Sequence, residues 1–168
     1  MKANALRLAQ TLFLLAKRHA LALVLVCLGL ALFTSRYQLA INFTESLPGT
    51  VFLIDKKDRR VEKGELIAFT WKGAAPIPDG VTVIKRVAGV PGERVHVENR
   101  FVFIDHQPVG IAKTLSRTGE PLTHISDGVI PRLHFFAAGD HTDSFDSRYA
   151  KPGLIPFSSV RGRAYSLW

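Results

Sequence analysis

The chain has 168 residues, with 22 Lys and Arg against 14 Asp and Glu, a net charge of +8 and a single cysteine, Cys27. Residues 1–36 hold five of the basic side chains and no acid, so residues 37–168 hold 17 basic and 14 acidic side chains and a net charge of only +3. This distribution argues against a basic surface for nucleic acid, and we predict no nucleic-acid partner. One cysteine excludes an intrachain disulfide and a cysteine-based zinc site, and we predict neither a metal nor a cofactor.

The first element is an apolar segment that follows basic residues. Residues 20–33 read ALALVLVCLGLALF, fourteen positions without a polar side chain. A helix that spans a bilayer needs about 20 residues. The charged ends of Lys17 and Arg18 can reach the headgroups, so that residues 13–16 add length. The basic excess on the N-terminal side predicts that the N-terminus lies in the cytoplasm.

Two interpretations of this segment compete. The small residues Gly29 and Ala31 resemble a signal-peptide cleavage site, which predicts removal of the segment. However, Leu32 and Phe33 continue the apolar run past that site, which favours an uncleaved signal-anchor. We predict a cytoplasmic N-terminus and transmembrane signal-anchor over residues 1–36. An extracytoplasmic β-rich domain then covers residues 37–168, and the protein lies in the inner (cytoplasmic) membrane.

After Arg36, short runs of β-forming residues alternate with Gly, Pro, Asn and Asp, which predicts a mainly β, antiparallel domain built as a partly open barrel or sandwich. Asn99 and Arg100 are predicted to turn a hairpin. Residues 107–131 read as a long, weakly patterned loop. The predicted strands are Val51–Ile54, Leu66–Trp71, Val81–Val87, Arg94–Glu98, Phe101–Ile104, His134–Ala138 and Val160–Ser166.

One of these strands carries a lysine in an apolar setting. Alternate residues of a strand share a face, so Lys85 stands among Val81, Val83 and Val87. An amine in apolar surroundings loses hydration and its pKa falls, which suits it to act as a general base near neutral pH. Lysines on strands more often extend to solvent, so this strand alone favours a surface role.

Two polar stretches complete the candidate chemistry. Ser46 precedes Pro48 in a turn, and Thr44 lies two residues earlier, where its hydroxyl can help a backbone amide stabilise an oxyanion. A serine nucleophile needs a base, and Ser-Lys pairs are one solution. The stretch GDHTDSFDSRY, residues 139–149, is dense in hydrogen-bonding side chains and predicts an internal ion-pair network among its aspartates and Arg148.

Taken in order behind an N-terminal anchor, the stretches TESLPG, KRVAGVPGERV and GDHTDSFDSR resemble the type I signal peptidase family, the serine-lysine leader peptidases. The resemblance spans nearly the whole chain. It implies a signal-peptidase-like β domain behind a single transmembrane helix. It also implies that Ser46 is the nucleophile and Lys85 the general base.

The resemblance assigns roles to four further residues. Thr44 assists the oxyanion site beside the Ser46 amide, and Ser144 orients the lysine. Asp146 and Arg148 form an orienting ion pair.

The sequence also departs from the general leader peptidases. One residue, Leu47, separates the serine from Pro48 where those enzymes have two. Gly49 replaces a threonine, and His141 replaces an asparagine. The short Ser-Leu-Pro-Gly turn is similar to the TraF-type peptidases of conjugative transfer, which mature pilin and in some cases join its ends. In that branch the aspartate corresponding to Asp146 has a direct part in activity.

These observations predict a serine endopeptidase that cleaves leader peptides from a preprotein or pro-pilin at the surface of the lipid bilayer. General housekeeping signal peptidase activity is one alternative. A Ser-His-Asp hydrolase with His141 or His134 is a second, although it lacks the Gly-x-Ser-x-Gly elbow and leaves Lys85 unexplained. A membrane-anchored β-rich binding or assembly module without catalysis is a third.

Overall fold

The computed structural model describes residues 2–42, 46–72 and 77–168, with side chains described from residue 10 onward within those ranges. The chain divides into two compact units, Met1–Tyr37 and Gln38–Trp168.

The first unit is one helix, α1, which runs from Lys2 to Arg36. Within it, Gln10–Arg36 has a mean hydropathy of 1.9 over its most apolar window, and none of that window is buried. At 1.5 Å per residue, this segment is about 40 Å long, which is enough to cross a bilayer. The helix is therefore long and apolar enough to be a membrane anchor, and it continues well beyond the fourteen apolar positions.

The second unit is built from antiparallel strands, which confirms the predicted fold class. Seven strands form one sheet in the order β1-β2-β11-β3-β4-β9-β10, and four form another in the order β7-β6-β5-β8. The strands are β1 Tyr37–Ile41, β2 Val51–Asp55, β3 Leu66–Thr70, β4 Thr82–Gly89, β5 Arg94–Glu98, β6 Phe101–Ile104, β7 Gln107–Ile111, β8 Gly128–Val129, β9 His134–Ala138, β10 Ile155–Pro156 and β11 Val160–Ser166, with a short 3-10 helix at Phe157–Ser159.

The seven predicted strands are present, with ends that differ by up to two residues. The predicted long loop at 107–131 is wrong, because that stretch contains β7 at one end, β8 near the other, and an isolated bridge between Leu115 and Pro121. Pro108 and Gly110 are uncommon inside strands, so the sequence of β7 does not look like that of a strand. They are tolerated because β7 is an edge strand whose pairing with β6 shifts register.

The hairpin between β5 and β6 is confirmed. Glu98 pairs with Phe101, and the two residues between them, Asn99 and Arg100, have φ angles of 48° and 68°. Positive φ at both central residues is the requirement of a type I′ turn, whose twist matches that of the flanking strands.

The core consists of apolar clusters on both faces of β9. On one face, Phe135 and Ala137 pack with β3 and β4 residues that include Ile67 and Val87. On the other face, Phe136 packs against the four-stranded sheet. Because β9 is buried on both faces, the chain that leaves it at residue 139 is held from two sides.

Gly162 gives a test of this packing. It lies at the register shift of β11, and a Cβ there would collide with the carbonyl group of Asp55, whose carbon would be 2.8 Å away. Backbone cannot move aside cheaply, so we expect Gly162→Ala to lower the free energy of unfolding by about 2 kcal/mol. Urea unfolding of the full chain in detergent micelles, followed by tryptophan fluorescence, measures it.

Gly128→Ala is the matched control, because no atom lies within 4 Å of a Cβ built on that strand glycine. Equal unfolding midpoints for the two variants would contradict the packing described for β11.

Candidate active site

Lys85 lies in the middle of β4, opposite Ile67 of β3. On the other side of β4, Arg86 pairs with Ala138 of β9, and continuing that antiparallel register places Lys85 beside residue 139. The lysine side chain is only 3% exposed. Lys85 is thus buried, as its place among valines suggested, and does not extend to solvent as lysines on strands more often do.

The Lys85 amine forms a buried hydrogen bond with a serine. Its Nζ donates a hydrogen bond of 2.7 Å to Oγ of Ser144, which is itself 2% exposed. Burial lowers the pKa of Lys85 to about 8, against the opposing charge of Asp146. At pH 7 about a tenth of this amine is therefore unprotonated and able to accept a proton, far more than for a free lysine.

A buried ion pair shapes the segment that carries Ser144. Oδ1 of Asp146 accepts from Nε of Arg148 at 2.9 Å, and Oδ2 accepts from a terminal nitrogen at 2.8 Å. Both side chains are at most 2% exposed. The guanidinium also donates to the carbonyl oxygens of Ser144 and His141. One arginine thus fixes the backbone on both sides of the Ser144 turn.

The same pair reaches the end of β9. The Gly139 amide donates to Oδ2 of Asp146 at 2.8 Å. The hydrogen bonds described for the Asp146 carboxylate all come from Gly139 and Arg148. Its carboxylate is therefore placed to hold the loop.

Ser46 lies in a turn that is tied down on both sides. Its carbonyl oxygen accepts from the His141 amide at 3.2 Å. The Asn42 side chain donates to the carbonyl oxygen of Leu47 at 3.2 Å. The Trp168 carbonyl oxygen accepts from the Thr50 amide at 2.5 Å. The turn is thus fixed by residues distant in sequence.

Gly139 brings the serine turn and the lysine site together. A Cβ at this position would collide with the Ser144 side chain and lie 2.8 Å from the carbonyl oxygen of Ser46. Ser46 and Ser144 therefore contact the same small residue, and Ser144 bonds the Lys85 amine. The structure thus brings Ser46, Lys85, Ser144, Asp146 and Arg148 into one region, whereas Thr44 lies outside the described residues.

The predicted internal ion-pair network of residues 139–149 is wrong in part. Only Asp146 and Arg148 pair within it. Asp140 pairs instead with Arg86 of β4 at 2.7 Å, and Asp143 pairs with Lys113 and Arg117. These pairs tie the segment to its neighbours, because each carboxylate bonds a cation from another part of the domain.

The two histidines of the alternative triad, His141 and His134, lie at different distances from the serine turn. His141 lies beside the serine turn, and its Nδ1 accepts from the Asp143 amide at 3.1 Å. His134 begins β9, five residues before Gly139, which is about 15 Å along a strand. His134 is therefore too far along β9 to serve a nucleophile at the Gly139 end.

The family model of the signal peptidases, peptidase S26, matches residues 12–168. The chain belongs to the type I signal peptidase family. The match covers both the helix and the β domain, so the assignment applies to the chain as a whole.

Curated relatives place this signal peptidase in the TraF branch. The conjugal transfer protein TraF of Agrobacterium fabrum is 33% identical over 145 residues, covering 74% of this chain and 78% of that protein. TraF of Agrobacterium tumefaciens is 31% identical over 168 residues, covering 85% and 93%. Signal peptidase I of Pseudomonas fluorescens is 27% identical over 154 residues, covering 69% of this chain and 53% of that enzyme.

Among solved structures, signal peptidase I from Enterococcus faecalis V583 is 25% identical. It covers 63% of this chain and 97% of its own, with a TM-score of 0.39.

Two contributors to the candidate site were missed in the sequence. Gly139 was noted only as part of a motif, and its need to lack a side chain follows from packing. Trp168 acts through its carbonyl oxygen, which any residue could supply, so no sequence signal marks it. Among residues 10–42, 46–72 and 77–168, no three His, Cys, Asp or Glu side chains group as metal ligands.

The buried amine of this signal peptidase predicts a stability cost. Below pH 8 the folded protein carries a buried ammonium, whose pKa is lowered from 10.5 to about 8. Replacing it by an apolar side chain of similar shape removes that cost, so we expect Lys85→Met to raise the free energy of unfolding by about 2 kcal/mol at pH 7. Urea unfolding in detergent micelles measures the difference.

The pH dependence distinguishes this cause from general packing. Wild-type stability should rise between pH 8 and 10.5, as the folded lysine becomes neutral before the unfolded one does. The advantage of Lys85→Met should therefore shrink over that range. Lys57→Met, at an exposed lysine, should show neither effect. A Lys85→Met variant less stable than wild type at pH 7 would contradict the buried ammonium.

Proposed function

We propose that this chain is a membrane-anchored serine endopeptidase that cleaves leader peptides from translocated proteins with a Ser46–Lys85 dyad. The observation that carries the proposal is the buried Lys85 amine, which bonds Ser144 at 2.7 Å next to the turn of Ser46. A lysine held in this way is a general base whose pKa suits neutral pH. The family membership and the TraF relatives support the same reaction class.

The reaction is acyl transfer. Neutral Lys85 takes the hydroxyl proton of Ser46 as its oxygen attacks the scissile carbonyl carbon. The Ser46 amide, with Thr44, stabilises the resulting oxyanion. The lysine then returns the proton to the leaving amine as the C–N bond breaks. Water attacks the acyl-enzyme in turn, and the carboxylic product and free serine are released.

In this proposal, Ser144, Asp146 and Arg148 position the base. Ser144 accepts from the amine and sets its direction, while the Asp146–Arg148 pair fixes the Ser144 backbone. Asp146 also bonds the amide of Gly139, against which the serine turn rests. A change at Asp146 would therefore disturb both members of the dyad, which gives a physical reason for a strong effect on activity.

The substrate that we propose is a pilin precursor of a conjugative transfer system, because the relatives named TraF are conjugal transfer proteins. If an amine of the substrate opens the acyl-enzyme in place of water, the product is cyclic. We place the N-terminus of α1 in the cytoplasm, because its basic residues precede the apolar run. The β domain then lies outside the inner membrane, against the bilayer from which the precursor emerges.

The dyad is tested by co-expressing the full chain with a pilin precursor from the same transfer system. We expect wild type to shorten the precursor and both Ser46→Ala and Lys85→Ala to leave it intact, because each removes one reacting group. Intact mass spectrometry of the precursor reads the result, and loss of one further water from the trimmed product reveals cyclisation.

Lys57→Ala is the matched control, since that lysine is exposed, and it should process normally. A Lys85→Ala variant that still processes the precursor would rule out the Ser-Lys mechanism and favour His141 as base. Normal assembly of pili by both dyad variants would instead support a binding module. Cleavage of a general secretory preprotein, but not of the pilin, would support a housekeeping role.

The pH profile is a second test. Only neutral Lys85 accepts the serine proton, and its pKa is about 8. We expect kcat/KM for a peptide substrate to rise about tenfold per pH unit below that value and to level off above it. A profile that levels off near pH 6.5, the ordinary range of histidine, would contradict lysine as the base.

A further inference from the structure

A cavity of the β domain lies where β3 and β11 meet the short strand β10. It has a volume of about 400 Å³. We call it the basic cleft and define it by Arg59, Lys72 and Arg161, with Trp71, Pro152 and Pro156 among its walls. It opens to solvent, and its cations come from three separate segments of the domain.

The charge of the basic cleft is one-sided. Three cationic side chains line it, and no Asp or Glu is among the described residues that do so. Some cations elsewhere on the surface pair with acids, as Lys63 does with Glu93 at 2.6 Å and Arg86 with Asp140 at 2.7 Å. In the described part of the chain, the three cations of the cleft have no ion pair.

The cleft cations are also partly ordered. Nε of Arg161 donates to Oγ1 of Thr70 at 2.6 Å, which leaves the terminal nitrogens of the guanidinium to face a ligand. Nε of Arg59 donates to the carbonyl oxygen of Lys56 at 3.4 Å. An arginine whose direction is fixed loses less entropy on binding, and its planar fork matches a carboxylate.

The basic cleft lies close to the site of the proposed dyad. The Trp71 ring, in its wall, is 5.9 Å from the ring of Phe145, and Phe145 directly follows Ser144. Two aromatic side chains therefore separate the cleft from the residue that bonds Lys85.

The walls favour a peptide over a nucleic acid. Phe69 and Trp71 are 1% and 2% exposed, so neither offers a face on which a base can stack. Pro152 and Pro156 at the walls are at least partly exposed and suit the apolar stems of a polypeptide. Carboxylates spaced along such a chain would meet the cations.

We propose that the basic cleft binds an acidic segment of the substrate polypeptide, a few residues from the bond that is cut. This inference rests on the proposed peptidase function and adds a substrate class to it. The segment gains charge-assisted hydrogen bonds at Arg59, Lys72 and Arg161. Its apolar side chains cover the proline walls. The scissile bond is thereby held near Ser46 by contacts remote from it.

The test is a binding measurement on the full chain in detergent micelles, with Ser46→Ala present so that nothing is cut. The probe is a fluorescein-labelled peptide of alternating glutamate and leucine, and the comparison peptide has glutamine in place of glutamate. Fluorescence anisotropy should show binding of the glutamate peptide at least about tenfold tighter than the glutamine peptide, weakening as salt is added.

Charge reversal identifies the site. Lys72→Glu together with Arg161→Glu should lower affinity for the glutamate peptide by about tenfold or more. Lys72→Gln, at an exposed side chain without a described partner, should lower it by about threefold and leaves the fold intact. Arg94→Glu, at an exposed arginine on the other sheet, is the matched control and should bind normally.

Equal binding of the two peptides, or binding that the reversals leave unchanged, would overturn the proposal. So would reversals that weaken attachment to phosphatidylglycerol vesicles while leaving peptide binding intact, because the ligand would then be a lipid headgroup. With Ser46 restored, the double variant should still cleave a short neutral peptide. Wild type that cleaves no peptide at all would refute the proposed function and leave the binding result standing.

Discussion

The burial of one lysine amine is the constraint on which this domain depends. Lys85 lies in a strand between two neighbours, where an ammonium ion loses most of its hydration. The hydrogen bond to Ser144 satisfies part of this loss and fixes the direction of the amine. The Asp146–Arg148 pair holds the Ser144 segment, and Gly139 lies between Ser144 and the serine turn.

The Asp146–Arg148 pair makes this arrangement possible. A buried ion pair contributes little net stability, because desolvation offsets much of the attraction. Its value here is geometric, since one guanidinium binds two backbone carbonyl oxygens and one carboxylate binds the amide of Gly139. A loop of polar residues thus becomes as rigid as the strand before it. Burying these two charges costs free energy, and the loop that they hold carries the hydrogen-bond partner of the Lys85 amine.

The sequence predicts the inner strands and fails at the edges. The strands that it missed, β1, β7, β8 and β10, are the edge strands of the two sheets. Edge strands need no alternating apolar pattern and tolerate residues such as Pro108, so their sequences look like loops. Two of them, β8 and β10, have only two residues, too few for any periodic signal.

Local sequence patterns predicted some features of the candidate site but not the partners that come from distant segments. The alternation of valines around Lys85 indicated burial, and the motif around Ser144 indicated a polar loop. The partners of Asp140 and Asp143 were not predictable, because they come from other segments of the chain. The support of the serine turn by Trp168 was equally hidden, since a backbone carbonyl carries no sequence identity.

The contact between Trp168 and the serine turn affects the order in which the parts of the candidate site can form during synthesis. The ribosome makes the anchor first and the serine turn soon after, then Lys85, then the Ser144 loop, and Trp168 after all of them. The amides of Thr50 and Val51 stay without their acceptor until residue 168 has arrived. During synthesis the serine turn is therefore made before the residues His141 and Trp168, whose backbone contacts fix it.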